Sequence, residues 1–181
     1  MNNKFSLDDL DVSRETVNNL NTYVDILTKW NTTINLVSKE SIKDVWDRHI
    51  LDSGQLFKFV THDVKKWLDI GSGAGFPGLV IAVLAKERFP SLQVILIESD
   101  KRKCVFLKEV VRELDLNVKT VSKRIEDCPS QDADVISARA LTQLEKLLSY
   151  FTFHGNFKSK GLFLKGKNIE NEIKLVKNMD M

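Results

Sequence analysis

Leu68-Asp69-Ile70-Gly71-Ser72-Gly73-Ala74-Gly75-Phe76-Pro77-Gly78 decides how this chain folds. An apolar approach carrying one acid runs into a turn with four glycines in eight residues, and an apolar run from Leu79 to Ala85 follows. This pattern predicts a strand that stops, a backbone that bends over a ligand, and a helix whose N-terminus points at that ligand. Glycine suits such a turn because it reaches positive φ without strain and places no side chain between backbone and ligand. Pro77 suits the first turn of the helix, where its missing N–H has no intrahelical partner to lose. A tight turn without a ligand is the plainer alternative, and it does not need so many glycines.

The ligand has two readings. Gly73-x-Gly75-x-x-Gly78 matches the dinucleotide fingerprint, a weak signal when taken alone. Gly71-x-Gly73-x-Gly75, with Asp69 two residues ahead, is the pattern of S-adenosylmethionine enzymes. A pyrophosphate wants helix-terminal N–H groups and no anion nearby. A sulfonium with an ammonium tail gains from a carboxylate. Asp69 therefore favours S-adenosylmethionine, although an acid bonding the amides of its own turn is an ordinary alternative.

Val94-Ile95-Leu96-Ile97 reads as a second strand, apolar throughout as expected when both faces are covered, and it ends at Glu98. Ligands of α/β sheets sit beyond the carboxyl ends of the strands, and an acid ending the second strand bonds ribose hydroxyls. Glu98 lies 27 positions after Gly71 and 23 after Gly75, close to the usual spacing of roughly 20.

Outward from this centre, strands and helices alternate from Lys66 onward. Strands are predicted at Trp67–Ile70, Val94–Glu98, Val118–Val121, Val135–Ser137 and Leu162–Lys165. Helices are predicted at Gly78–Ala85, Lys101–Leu114, near Ile125, at Leu141–Tyr150 and at Ile169–Val176, with Pro129–Asp132 as a loop. Such alternation argues for a parallel, doubly wound sheet. Cys104, Leu107, Val111 and Leu114 give the second helix its buried face, which makes Cys104 a core residue. Ahead of the sheet, Val17, Leu20, Val24 and Leu27 repeat at helical spacing behind Ser13 as N-cap and Glu15 in the first turn. Ile42, Val45, Trp46, His49 and Ile50 form a second stripe, and Leu56, Phe57 and Val60 mark a third, short helix. These faces need a partner, so residues 1–64 are expected to be a helical extension packed on a core of residues 65–181. Only 16 residues follow Lys165, and they read as helical. The antiparallel strands that end many methyltransferase sheets are therefore expected to be missing, leaving an exposed edge.

At 181 residues, with 43% hydrophobic and 29% charged content, the chain can bury a real core. No apolar run reaches the roughly 18 residues of a membrane span, and Met1-Asn2-Asn3-Lys4 lacks the apolar stretch of a signal peptide. Cys104 and Cys128 are not spaced as metal ligands, which fits free thiols in the cytoplasm. Residues 1–65 carry 8 Lys/Arg against 10 Asp/Glu, and residues 66–181 carry 19 against 15. The bias rises toward the end through Lys158, Lys160, Lys165, Lys167, Lys174 and Lys177, against Glu170, Glu172 and Asp180. It fits a phosphate-rich partner or an ordinary solvated face equally well.

These residues together resemble the bacterial 16S ribosomal RNA guanine-N7 methyltransferase G family, also called glucose-inhibited division protein B. The likeness runs nearly end to end. It includes Trp30-Asn31, Asn35-Leu36-Val37-Ser38, Arg48-His49-Ile50-Leu51-Asp52-Ser53, the glycine turn, Arg124-Ile125-Glu126, Ser137-Ala138-Arg139-Ala140 and Lys165-Gly166. The glycine turn is specific only to a broad class; the blocks on either side of it are specific to the family. The resemblance implies a Rossmann-like class I S-adenosylmethionine-dependent fold and a small-subunit rRNA substrate. It also implies cofactor contacts at Gly71, Phe76, Ile125, Glu126 and Arg139, to which the residue pattern adds Gly73, Gly75 and Glu98. On this reading Phe76 lays a ring near the cofactor and Glu126 or a neighbouring amide bonds the adenine amine. Arg139 binds the cofactor carboxylate or an RNA phosphate, a surface salt bridge being its plainer alternative.

Guanine N7 carries a lone pair and no proton, so the reaction needs positioning and no general base. No catalytic residue or metal ligand is assigned. His49 reads as a core histidine or as a base contact, and Arg48 as a phosphate contact or as a partner of Asp44 or Asp52. Two rival functions remain at this level: a dinucleotide-dependent oxidoreductase, and a non-catalytic rRNA-binding assembly factor. The protein is expected to act as a monomer.

Overall fold

The computed structural model describes Ser6, residues 10–166 and residues 169–179; Met1–Lys4, Lys167 and Asp180 lie outside the described residues. The first amphipathic stripe forms α1 (Arg14–Asn31), with Ser13 as N-cap accepting from the Thr16 amide at 3.0 Å. Its buried face is Thr16, Leu20, Tyr23 and Leu27, so Tyr23 takes the inward place expected of Val24. The second stripe is not a regular helix. Trp46–Leu51 is a π-helical turn, followed by α2 (Asp52–Gly54) and a 3-10 turn, Gln55–Phe59. The wider turn lets Ile50 reach the core while the neighbouring His49 ring stacks on Phe76, 4.7 Å between centroids.

From Lys66 the predicted alternation follows as β1 (Lys66–Ile70), α3 (Gly78–Arg88), β2 (Gln93–Glu98), α4 (Lys101–Glu113), β3 (Val118–Ser122), β4 (Ala133–Arg139), α5 (Leu144–His154), β5 (Gly155–Leu164) and α6 (Ile169–Met179). A 3-10 turn, Ile125–Asp127, stands where a short helical piece is predicted. The five strands pair in parallel in the order β3-β2-β1-β4-β5. Neighbours along β1 face opposite ways, as a strand requires: Trp67 joins the core on one face of the sheet, Leu68 and Ile70 the core on the other.

All eight residues from Gly78 to Ala85 are buried, because α3 touches β1 and β2 as well as α1 and α2. A helix that is apolar all round is stable only when covered all round. Each fully buried Leu, Val or Ile there contributes about 1.5–3 kcal/mol. Ser13 also donates to Glu87 at 2.6 Å, tying the start of α1 to the end of α3.

Two element starts differ most from expectation. α5 starts three residues late, because Ala140 sits in the left-handed region (φ +48) and Gln143 is extended, which keeps Leu141 and Thr142 out of the helix. β5 starts at Gly155 rather than near Leu162. Gly155 pairs with Ala133, the register then shifts, and Lys160 pairs with Val135. This polar stretch carries no alternation because β5 lies at the sheet edge, where Phe157 is 93% exposed. No helix of the described residues is long and apolar enough to cross a membrane.

Candidate functional site

Strand order reverses at β1, which has β2 on one side and β4 on the other, and the crevice for ligands lies beyond the carboxyl ends there. The glycine turn lies across the end of β2: the Gly71 and Ser72 amides donate to the Ile97 carbonyl at 2.9 and 3.1 Å. Gly71, Gly73 and Gly75 have φ of +65, +56 and +94. At Gly71 the backbone is left-handed and a Cβ would collide with Leu141, so no other residue fits without displacement. From the far side, Tyr23 of α1 donates its hydroxyl to the Ala74 carbonyl. Burial, helped by the charge of Asp69, holds the Tyr23 phenol well above its ordinary value, so it stays a donor.

A cleft of about 500 Å³ opens above this turn, within the usual range of roughly 300–1,000 Å³ for small-molecule sites. Gly71 and Gly73 line it together with Glu98 after β2, Ile125 and Glu126 after β3, and Arg139 after β4. Six of the eight candidate residues therefore meet in one place. Glu98 accepts from the Gly73 and Asp100 amides, each at 2.8 Å. A carboxylate has about four acceptor positions, so two remain for a ligand. Glu126 accepts from the Tyr150 hydroxyl and pairs with Lys146 at 3.0 Å. The Tyr150 bond, then the Glu126 backbone amide and the Lys146 ammonium, bring the Glu126 carboxyl down to about 2. Arg139 bonds Asp52 Oδ2 and the Arg48 carbonyl, both at 2.6 Å, and so clips the segment before β1 to the end of β4.

Phe76 and Gly75 stand apart from these six. Neither lines the cleft: Phe76 is 5% exposed and packs against Tyr23 and His49 beneath the turn. The Phe76 ring is taken up by apolar packing there, because α1 and the π-helical turn cover that side. His49 is a stacked, part-buried ring whose nitrogens have no hydrogen-bond partner among the described residues. Burial, then the charges of Arg139 and Arg48, lower it to about 4.

The chain matches the family model described as rRNA small subunit methyltransferase G over residues 16–179. It belongs to that family. It is 51% identical to the ribosomal RNA small subunit methyltransferase G of Jannaschia sp. (strain CCS1), covering 90% of this chain and 77% of the relative. It is 47% identical to the protein of the same name from Ruegeria sp. (strain TM1040), covering 91% and 80%. Among solved structures it is similar to a SAM-dependent methyltransferase from Geobacter sulfurreducens in complex with S-adenosyl-L-homocysteine, with TM-score 0.53, 15% identity, and 77% of this chain and 54% of that one covered. A SAM-dependent methyltransferase from Thiobacillus denitrificans in the same complex gives TM-score 0.53, 14% identity, 84% and 55%. The chain thus spans about half the length of these two structures, and the likeness to them is one of fold.

The geometry of this family member also separates the two ligand classes. Asp69 is fully buried and does not touch the cleft. Its Oδ1 accepts from Ser137 at 2.7 Å, and Oδ2 faces the Gly78 amide at the start of α3. The protein's own carboxylate therefore stands beside that helix N-terminus, its Oδ2 without a hydrogen-bond partner among the described residues, and its charge disfavours a pyrophosphate there. Asp69 argues against a dinucleotide by disfavouring its pyrophosphate rather than by attracting a sulfonium. The open glycine backbone and the Glu98 carboxylate suit an adenosyl ligand with a cationic tail.

Lys146 and Tyr150, which the sequence reading missed, close the Glu126 end of the cleft. They stand one helical turn apart on α5, a spacing that shows a shared face and not what the face meets. Replacing Tyr23 by Phe strands the Ala74 carbonyl, at a cost of about 1–3 kcal/mol. The expected result is a several-fold weaker S-adenosylhomocysteine Kd in calorimetry, alongside a lowered Tm.

Proposed function

We propose that the chain transfers the methyl group of S-adenosylmethionine to N7 of a guanosine in the 16S rRNA of the small ribosomal subunit. Family membership supports the reaction and the substrate. The observation that carries the donor is the glycine-floored cleft at the sheet's switch point, with the Asp69 carboxylate buried beside the start of α3. Gly71 and Gly73 admit the donor to the backbone, Glu98 takes the ribose hydroxyls, Ile125 and Glu126 flank the adenine, and Arg139 faces the polar tail. Bound S-adenosylmethionine supplies the electrophile: the N7 lone pair forms the new N–CH3 bond, the S–CH3 pair stays on sulfur, and the positive charge passes to the purine. No proton moves, so the residues of the chain need only orient the two reactants and exclude water. The same reading divides the chain into a helical cover, residues 1–64, and a donor-binding unit, residues 65–181, acting as a cytoplasmic monomer.

The test is methyl transfer from labelled donor to unmodified small subunits and to naked rRNA. Label at N7 of a single guanosine is expected; no label on either substrate overturns the reading. Calorimetry with S-adenosylhomocysteine and NADH is expected to show binding of the first only.

A further inference from the structure

A second cleft, of about 460 Å³, opens beside the first at the carboxyl ends of β4 and β5. Arg139 and Ala140 line both, so the two cavities share a wall. Asp52, Leu164 and the Lys165–Glu172 pair complete the second. Resting on the methyl-transfer reading above, we propose that this second cleft receives the acceptor guanine and that Asp52 reads its Watson–Crick edge.

The charge balance argues for a base rather than a phosphate. Both cations are already paired inside the cleft. Lys165 meets Glu172 at 2.7 Å with both side chains largely buried, and it also bonds the Thr142 carbonyl at 2.7 Å. Arg139 meets Asp52 at 2.6 Å. Among the described lining residues no uncompensated positive charge is left to hold an anion, whereas a neutral ring with donor and acceptor edges fits a balanced lining. Ala140 and Leu164 offer it an apolar wall, and no atom of the described residues lies within 4 Å of the position a Cβ would take at Gly166.

Asp52 is the group able to choose the base. Its Oδ2 accepts from Arg139 and its Oδ1 from Gln55 at 2.9 Å, while 37% of the side chain stays exposed. Two of about four acceptor positions remain. Guanine places two adjacent donors, N1–H and the N2 amine, where adenine has an acceptor at N1. A carboxylate therefore favours guanine and leaves adenine with an unmatched polar atom. The same contact assists the transfer. Methylation at N7 puts positive charge on the purine and makes N1–H a stronger donor, so the bond to Asp52 tightens as the reaction proceeds. An interaction stronger in the transition state than in the ground state raises kcat.

The test places inosine, which keeps N7 and N1–H but lacks the N2 amine, at the methylated position of the RNA. For the wild-type protein kcat/KM is expected to fall by about tenfold on inosine, because one of the two donors to Asp52 is lost. Asp52→Asn is expected to lose about 30-fold on guanosine and to treat the two bases within about threefold of each other, because an NH2 donor replaces one of the two acceptor oxygens that the paired N1–H and N2 donors need. An S-adenosylhomocysteine affinity within about threefold of wild type shows that the variant is folded and its first cleft intact. A wild-type protein that methylates inosine as fast as guanosine overturns the assignment, with no variant needed; so does an Asp52→Asn protein that keeps the wild-type preference. No transfer to either RNA by the wild type removes the methyl-transfer reading, and the assignment falls with it.

Discussion

Gly71→Ala is expected to weaken S-adenosylhomocysteine binding by at least about 100-fold, roughly 2.7 kcal/mol, and to abolish methyl transfer. Two costs combine at this position. The residue has φ +65, where a side chain costs roughly 1–2 kcal/mol, and the added methyl collides with Leu141 on the wall of the cleft. The first cost lowers the Tm and the second closes the surface the donor must approach. Gly166→Ala is the control: no atom of the described residues lies within 4 Å of its Cβ position and it does not line the first cleft, so donor affinity should be unchanged. Calorimetry on both proteins checks the pair. Full affinity in Gly71→Ala would mean that the turn does not floor the donor site.

The second large effect is a change in how stability depends on pH. Burial raises the Asp69 carboxyl from 3.8 to about 6, against the lowering pull of Ser137, Ser72 and the Gly78 amide. Between those two values the folded chain keeps a proton that the unfolded chain has released. The contribution of Asp69 to stability is therefore complete below pH 3.8, declines as pH rises through about 6, and is flat above. At 1.36 kcal/mol per pH unit the loss is about 3 kcal/mol. His49 acts in the opposite sense: with its value lowered from 6.5 to about 4, its contribution falls as pH drops through that interval. The two slopes oppose each other in the wild type. In Asp69→Asn the Asp69 slope is removed and the rest are kept, so the stability of the variant relative to wild type should climb by about 3 kcal/mol from pH 4 to 7. Urea unfolding at unit pH steps measures this; a flat difference rules out a buried, titrating carboxylate.

The glycine turn, the five strands and the helices between them were legible because each is a local pattern: apolar runs of strand length, helical stripes, and glycine where the backbone turns left-handed. What escaped was long-range. Phe76 reads as a cofactor ring until α1 and the π-helical turn are seen to cover it. Asp69 pointed to the right ligand class through the wrong contact, because sequence does not show that its partner is Ser137, 68 residues later, with Gly78 beside it. Lys146 and Tyr150 reach the cleft only because Ala140 delays α5. The start of β5 was invisible because an edge strand needs no alternation, and its register slips between Ala133 and Val135.

The burial of α3 bears on how this protein can change over generations. Along α1 or α4 an exposed position recurs every turn, and point mutations can accumulate there harmlessly. Between Gly78 and Ala85 there is no such refuge. Tolerance to amino-acid exchange should be low and even across the whole stretch, with no helical beat. Inherited variety, including any drift in the choice of RNA, is thereby pushed out to the rims of the two clefts.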